Sequence, residues 1–335
     1  MLELIDITKR FQIKTGILSS EKLTAVDKVS FTIKENETVG LVGESGCGKS
    51  TIGKCIAKLI NTDGGQIRFL GTDIIHLREK DFRRLRKDIQ MVFQNPLGSF
   101  NPLFTIQKSL LDSINLDPEY KYKSNVEKRE RVDELLDMVK LPHDFAEKRP
   151  HELSGGQLQR IGVARALAPK PRFVFLDEPT SALDMSIRGQ IVNLLLDLQG
   201  IYKTSYLFVT HDLRVIHFVA DRILVMYLGQ IVEAGSKDMI FHNPLHPYTY
   251  GLLAATLVGH DKHREVNYIS RLKGELIQPQ EDMTGCKLFS RCSYATDKCK
   301  EPQEMREVGK GHWVRCWRAE ELQLKTKIFD MNLKY

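Results

Sequence analysis

Gly43-Glu-Ser-Gly-Cys-Gly-Lys-Ser50 sets glycines, a lysine and a hydroxyl at the spacing GxxxxGK[ST]. Glycines let consecutive backbone N–H groups turn inward on phosphate oxygens, and the start of a following helix adds a positive dipole end. In such a loop Lys49 bridges the β- and γ-phosphates of a nucleotide, and the Ser50 hydroxyl ligates Mg²⁺. The expected cradle is Gly43, Ser45, Gly46, Cys47, Gly48, Lys49, Ser50 and Thr51. A plain Gly-rich turn would show the same pattern, and Cys47 also reads as a small filler with an incidental thiol.

A second stretch, Phe173-Val-Phe-Leu-Asp177-Glu178, is an apolar strand ending in two acids. Successive strand residues face opposite sides, so the two carboxylates can do different work. Asp177 would hold Mg²⁺, directly or through water. Glu178 would polarise an attacking water, as general base or as positioner. Two solvated acids at a strand end are common. These lie 128 residues after Lys49, at the C-terminal end of a strand, where open α/β sheets bind ligands.

The third group is thiols. Cys47 and Cys55 stand near the start, whereas Cys286, Cys292, Cys299 and Cys316 follow C-x5-C-x6-C-x16-C. In a reducing compartment such a cluster reads as a metal site before a disulfide framework. Four thiolates suit an iron–sulfur cluster. Zinc is the alternative, although structural zinc sites usually carry closer C-x2–4-C pairs; free or disulfide-bonded thiols are the third.

These residues need elements to place them. Val29–Ile33 alternates like a strand. Thr38–Val42 is apolar and β-branched and runs into the Gly-rich loop; Lys49–Leu59 then has helical spacing. Further strand-length apolar runs are Ile89–Phe93, Phe173–Leu176, Tyr206–Val209 and Ile223–Met226. Helical patterns fall at Val126–Leu141, Gln157–Ala168, Ile187–Leu198 and Leu213–Val219. The alternation predicts an α/β fold with a largely parallel sheet covered on both faces. No strand pattern interrupts Asn95–Leu153, so a helical subdomain is expected over about 95–160. The two prolines of His242-Asn-Pro-Leu-His-Pro-Tyr248 end the sheet pattern. A core of 1–240 is therefore expected, followed by a small cysteine-rich, metal-binding extension over 241–335 that opens on a helix-like Tyr248–Leu257.

The 335 residues are 42% hydrophobic and 27% charged, enough apolar content for a core. No apolar run reaches the ~18–20 residues of a membrane span. The N-terminus lacks the pattern of a secretory signal. A protein kept inside the cell is expected, reaching a membrane only through other proteins. The net charge of +6 is compatible with nucleic acid. The densest basic run (Arg78, Lys80, Arg83, Arg84, Arg86 and Lys87) is interleaved with Glu79, Asp81 and Asp88, as on a solvated helix face. No nucleic-acid-binding signature accompanies it, and no nucleic-acid partner is expected.

Further motifs narrow the reading. Leu153-Ser-Gly-Gly-Gln157 before a helix resembles the signature motif of ABC-type ATPases. Asp177-Glu-Pro-Thr-Ser-Ala-Leu-Asp184 resembles their Walker B and D-loop, Gln94 in Val92-Phe-Gln-Asn-Pro96 their Q-loop, and His211 in Phe208-Val-Thr-His-Asp212 their switch histidine. The resemblance covers residues 1 to about 240 and implies a P-loop NTPase core that hydrolyses ATP with Mg²⁺. It implies Glu178, His211 and Gln94 as catalytic residues, and Ser50, Gln94 and Asp177 around Mg²⁺. Ser154, Gly155, Gly156 and Gln157 would meet the γ-phosphate held by the opposite subunit of a dimer, with Asp184 at the interface. Standing alone, Ser154 would be an ordinary helix cap. Phe11 would stack on adenine, or simply sit half-buried in its strand; residues 15–24 look inserted after it.

Asn95-Pro-Leu-Gly-Ser-Phe-Asn-Pro102, Pro244-Leu-His-Pro-Tyr-Thr249 and the cysteine tail resemble the ATPase subunits of oligopeptide and dipeptide importers, and Ser-Gly-Gly-Gln-Leu-Gln-Arg resembles their second, F-type ATPase. Some members of that branch hold a [4Fe–4S] cluster at such cysteines. The resemblance implies ATP-driven import of peptides at the cytoplasmic face of the membrane. The partners implied are a second ATPase subunit (itself or a paralogue), two transmembrane permease subunits and an external substrate-binding protein. Nickel or oligosaccharide cargo is the alternative. A soluble ATPase of DNA repair or translation is a third reading; the short separation of cradle and acid pair, without sustained heptads, argues against it.

Overall fold

The computed structural model describes residues 1–14, 20–181, 183–258 and 284–324. In chain order its elements begin β1 (Leu2–Lys14), β2 (Ser20–Ile33), β3 (Thr38–Val42), α1 (Lys49–Ile56), β4 (Gly64–Phe69), β5 (Thr72–Asp73), α2 (Glu79–Phe82) and β6 (Ile89–Val92). They continue with α3 (Ile106–Ile114), α4 (Asn125–Met138), α5 (Gly155–Leu167), β7 (Phe173–Asp177), α6 (Met185–Tyr202), β8 (Ser205–Val209) and α7 (Leu213–Val219). The last are β9 (Arg222–Tyr227), β10 (Gln230–Ser236), α8 (Lys237–His242), α9 (Pro247–Val258), β11 (Arg306–Glu307) and β12 (Trp313–Val314).

The chain divides into two compact units. One holds Met1–Thr32, Val39–Ile75 and Thr210–Tyr335; the other holds Ile33–Thr38 and His76–Val209. In the first unit, β2-β1-β4-β5 form one sheet and β11-β12-β10-β9-β3 run side by side. β3 pairs with β9 in parallel, from Val39 opposite Arg222 to Val42 opposite Val225. β3 is buried along its whole length, which explains its unbroken apolar run. Its Gly40 lies against α7: a Cβ there would stand 2.9 Å from Ile216 Cγ2.

In the second unit β8, β7 and β6 are parallel neighbours, with Leu176 opposite both Val92 and Phe208. No strand interrupts Asn95–Leu153, a stretch that carries α3 and α4 and leads into α5. Its helices start on polar caps, Thr105, Ser124 and Ser154, each accepting a backbone N–H from three residues on. Their buried residues recur at helical spacing, as Ile106, Leu110 and Ile114 do on α3.

Two expectations about the sheets change. The β2-β1-β4-β5 sheet holds an antiparallel pair, β1 with β4, where a largely parallel arrangement was expected. β1 packs Leu2, Leu4 and Ile7 inward and breaks register between Ile5 and Thr8, which blurs its alternation. The prolines after His242 also do not end sheet formation, because Trp313–Val314 pairs antiparallel with Ala234 and Glu233 of β10. Two residues are too few to carry a periodic signal. The expected Lys49–Leu59 helix ends at Ile56 and continues as a turn. Residues 15–19, part of the segment read as inserted, lie outside the described residues.

Candidate functional site

The phosphate loop connects β3 to α1 in the first unit. Gly43 and Gly48 have physical reasons to be glycine. A Cβ on Gly43 would lie 2.2 Å from the Met226 carbonyl oxygen, and one on Gly48 would lie 2.0 Å from that of Ala25. Gly48 also has φ 108°, outside the comfortable range of other residues. It is the N-cap of α1, and no side chain caps that helix start. The first-turn N–H groups thus form the kind of site that takes an anion.

Lys49 is 5% exposed. Its ammonium donates to the carbonyls of Gly43 at 2.7 Å and Glu44 at 2.8 Å. Ser45 and Gly46 are exposed, and Ser50 and Thr51 half-buried. The Cys47 thiol is buried and lies against Gly43 beneath the loop. Burial pushes that thiol up, away from reactivity, which favours the filler reading of Cys47. His211 is exposed just before α7, where Asp212 caps the helix and pairs with Arg214 at 3.0 Å.

In the second unit parallel register brings the catalytic candidates together. β6 and β7 are neighbours, so the residues just past their C-terminal ends meet. Gln94 Nε2 donates to Glu178 Oε2 at 3.0 Å. Asp177 is 4% exposed at the last position of β7. Glu178 turns away with φ 43°, a left-handed conformation that costs a residue with a side chain roughly 1–2 kcal/mol. Its N–H donates to Val209 O at 3.0 Å, and its carbonyl accepts from Ser181, which holds the turn. Strain so over-determined is a mark of functional sites.

The signature residues form a complete capping box on α5. Ser154 Oγ accepts the Gln157 N–H at 3.3 Å, and Gln157 Oε1 accepts the Ser154 N–H at 2.9 Å. Gly155 is exposed, with open space where a Cβ would be; Gly156 is buried against Ile187 of α6. Asp184, exposed, is the N-cap of α6. Phe11 sits exposed on β1, with the Lys9 ammonium 5.4 Å from its ring centroid.

Arg165, absent from the expected site, ties the segment after Gln94 to the signature helix. Its guanidinium donates to Ser99 O and Oγ at 2.6 and 2.9 Å and stacks 4.0 Å from the Phe100 ring centroid. Burial lowers its pKa to about 10. Nothing local distinguishes it from other helix arginines.

The four late cysteines gather in the extension. Burial pushes Cys286 up to about 12, and the thiols of Cys316, Cys299 and Cys292 add to the shift. Cys316 rises to about 11, again by burial first, with Cys292 and Cys299 contributing. N–H groups point at the sulfurs: Leu288 at Cys286, Arg318 at Cys316, and Trp317 Nε1 at Cys299 Sγ, 3.3 Å away. Among the described residues no group of three or more His, Cys, Asp or Glu stands at metal-holding spacing, and the six cysteines form no disulfide.

Within the first unit the extension is tied to the rest through charge. Glu233 of β10 is fully buried and accepts from Leu245 N, His246 N and His312 Nε2, at 2.7 to 2.9 Å. Lys287 donates to Leu228 O and pairs with Asp27, each at 2.8 Å. Burial pushes Asp27 up, but Lys287, together with Gln230 and Arg315, outweighs it and the net pKa is lowered.

Comparison with known proteins accounts for both parts. The ABC transporter family profile matches residues 26–181, and that of the oligopeptide/dipeptide transporter C-terminal region matches 232–299. The chain is 44% identical to the oligopeptide transport ATP-binding protein AppF of Bacillus subtilis, over 94% of this chain and 96% of that one. It is 40% identical to the oligopeptide transport ATP-binding protein OppF of Escherichia coli, over 96% and 97%. Among solved structures, the ATP-binding cassette MJ0796, a dimer in a post-hydrolysis state bound to ADP and Pi, superposes with TM-score 0.63 at 33% identity, covering 71% of this chain and 99% of its own. The chain belongs to the ATP-binding proteins of ABC transporters, with the P-loop NTPase α/β fold and the C-terminal region of the oligopeptide/dipeptide branch.

Proposed function

We propose that this chain hydrolyses ATP to power the import of peptides, with its motif residues in the roles the family resemblance implies. The contact between Gln94 and Glu178 carries the catalytic reading. It holds the general-base carboxylate in one orientation at the end of β7. The cradle, Gly43 to Thr51, binds the phosphates through backbone N–H groups and Lys49. Ser50, Asp177 and Gln94 are oxygen donors and suit Mg²⁺, which neutralises phosphate charge when bound. His211 contacts the γ-phosphate and Phe11 takes the adenine. Ser154 to Gln157 and Asp184 serve the dimer.

The functional division is a core of 1–240, with its helical subdomain at about 95–160, and an extension of 241–335. Among the described residues no helix is long and apolar enough to cross a membrane. The family resemblance has the chain attach to the cytoplasmic face through two permease subunits. A cavity of about 330 Å³ suits their docking; it is lined by Gln94, Pro96, Leu97, His151, Leu158 and Gln159, with exposed Leu97 at its edge. A second ATPase subunit and an external binding protein complete the machine, and the relatives' names support peptide cargo.

For the extension we propose a structural [4Fe–4S] cluster on Cys286, Cys292, Cys299 and Cys316, with zinc as the alternative. The four thiols do not stand at metal-holding spacing in the structure; the reading rests on their donor chemistry, thiols supplied with N–H donors at Cys286, Cys299 and Cys316. Anaerobically purified protein should contain iron and sulfide and absorb broadly at about 400 nm; zinc without iron would reject the cluster.

The central test is Glu178→Gln. It should leave ATP binding unchanged and slow hydrolysis by at least ~10²-fold, the size of a lost general base. Unchanged turnover would remove Glu178 from this role.

A further inference from the structure

The phosphate loop is braced from the far end of the chain. Arg291 lies in the extension, 247 residues from Glu44, the second residue of the loop. Its Nη1 donates to Glu44 Oε2 at 2.9 Å and its Nη2 to Glu44 Oε1 at 3.1 Å, fork to fork. The pair is largely removed from water, the side chains being 8% and 20% exposed. Nη1 also reaches the Tyr227 hydroxyl at 3.3 Å. The rest of Glu44 is held as well: its N–H donates to Tyr248 Oη at 2.8 Å, and its carbonyl accepts from Lys49.

Glu44 is the only acidic residue between Gly43 and Ser50. A bare carboxylate there would face a polyanionic triphosphate across a poorly screened, partly buried gap, where like charges repel strongly. The bidentate guanidinium cancels that charge and fixes the carboxylate.

We propose that Arg291 is a positioning residue for the nucleotide: by pairing with Glu44 it neutralises the negative charge of the phosphate loop, so affinity for ATP depends on the extension. The inference rests on the reading that the ATP phosphates lie in the Gly43–Ser50 loop.

The test measures MgATP affinity of the full-length chain and its variants. Arg291→Ala exposes the carboxylate and should weaken binding about tenfold or more. Glu44→Gln removes the carboxylate and leaves Arg291 positive, so binding should be equal or tighter. The double variant R291A/E44Q should return to within about threefold of wild type, as a charge effect shared by two contacting groups requires. A brace without an electrostatic role predicts the reverse: Glu44→Gln weakens binding as much as Arg291→Ala, and the double variant does not recover. That result, or Arg291→Ala binding within about twofold of wild type, overturns the proposal. Should Arg291→Ala fail to fold, Arg291→Gln takes its place in the same titration with the same expected loss, and Glu44→Gln binding more weakly than wild type overturns the proposal. Lys49→Ala is the control: if it binds like wild type, or if wild type does not bind, the nucleotide reading has failed instead.

Discussion

Two helices of this chain begin at glycine-rich turns, and the two starts are built in opposite ways. α1 begins at Gly48, which provides no side-chain cap, in a loop pressed against Ala25 and Met226 and braced by Tyr248 and Arg291. α5 begins at Ser154, which closes a capping box with Gln157, beside an exposed Gly155 with open space around it. A helix start without a side-chain cap, held by its surroundings, is suited to take an anion in its own chain. A start that caps itself has satisfied its first N–H groups internally, and its exposed Gly155 suits the partner-facing role proposed above. The difference teaches how the same residue types can make a loop open to an anion in one place and a self-capped helix start in another.

The comparison breaks most sharply at Ser154. Ser154→Arg puts a bulky cation on the outward-facing start. Turnover should fall at least ~10²-fold, the scale of lost electrostatic stabilisation, while ATP binding by the isolated subunit stays unchanged. Loss of binding would place the signature in its own chain's site.

A paired glycine experiment comes next. Gly48→Ala forces a Cβ to within 2.0 Å of the Ala25 carbonyl oxygen at φ 108°. ATP affinity should drop about tenfold or more, as for a backbone strain of 1–3 kcal/mol. Gly155→Ala meets open space and should leave the isolated subunit's affinity unaltered, measured by the same titration. Equal losses would erase the distinction between the two starts.

The last experiment reads stability against pH. The brace of the phosphate loop includes His246, whose Nδ1 accepts the Tyr248 N–H at 3.1 Å. Burial, then Arg315, lowers its pKa from 6.5 to about 3. Below pH 6.5 the unfolded chain takes up a proton that the folded chain refuses, so stability is complete above 6.5 and declines as pH falls towards 3. The slope contributed is about 1.4 kcal/mol per pH unit. His246→Gln should flatten that part of the curve in urea unfolding between those limits. The capping box of α5 contains no group that titrates in this range.

The motif residues were legible because their chemistry is local. A loop of this spacing after an apolar strand, acids at a strand end and a serine three residues before glutamine are short-range patterns, and the structure has each on the element expected. Gln94 and Glu178 lie 84 positions apart. Their proposed roles rest on separate motifs, whereas their contact needs the parallel register of β6 and β7. Of the β2-β1-β4-β5 sheet the alternation showed only at Val29–Ile33 of β2, and the antiparallel β1–β4 pair escaped because its irregular register hides the alternation. β11 and β12 escaped because two residues carry no period. Arg165 and Arg291 were not legible at all: charged side chains announce a partner only once folding places it.

The sequence by itself determined the chemistry of this protein. The order of glycine, lysine, serine and paired acids sets what each segment can bind, since helix starts and strand ends act through neighbouring residues. Only the tertiary structure decided that Arg291 of the cysteine-rich extension closes on Glu44 of the phosphate loop. The physical reason is that a buried charge must find its counter-charge in space, and nothing in a linear order of residues specifies which distant carboxylate that is.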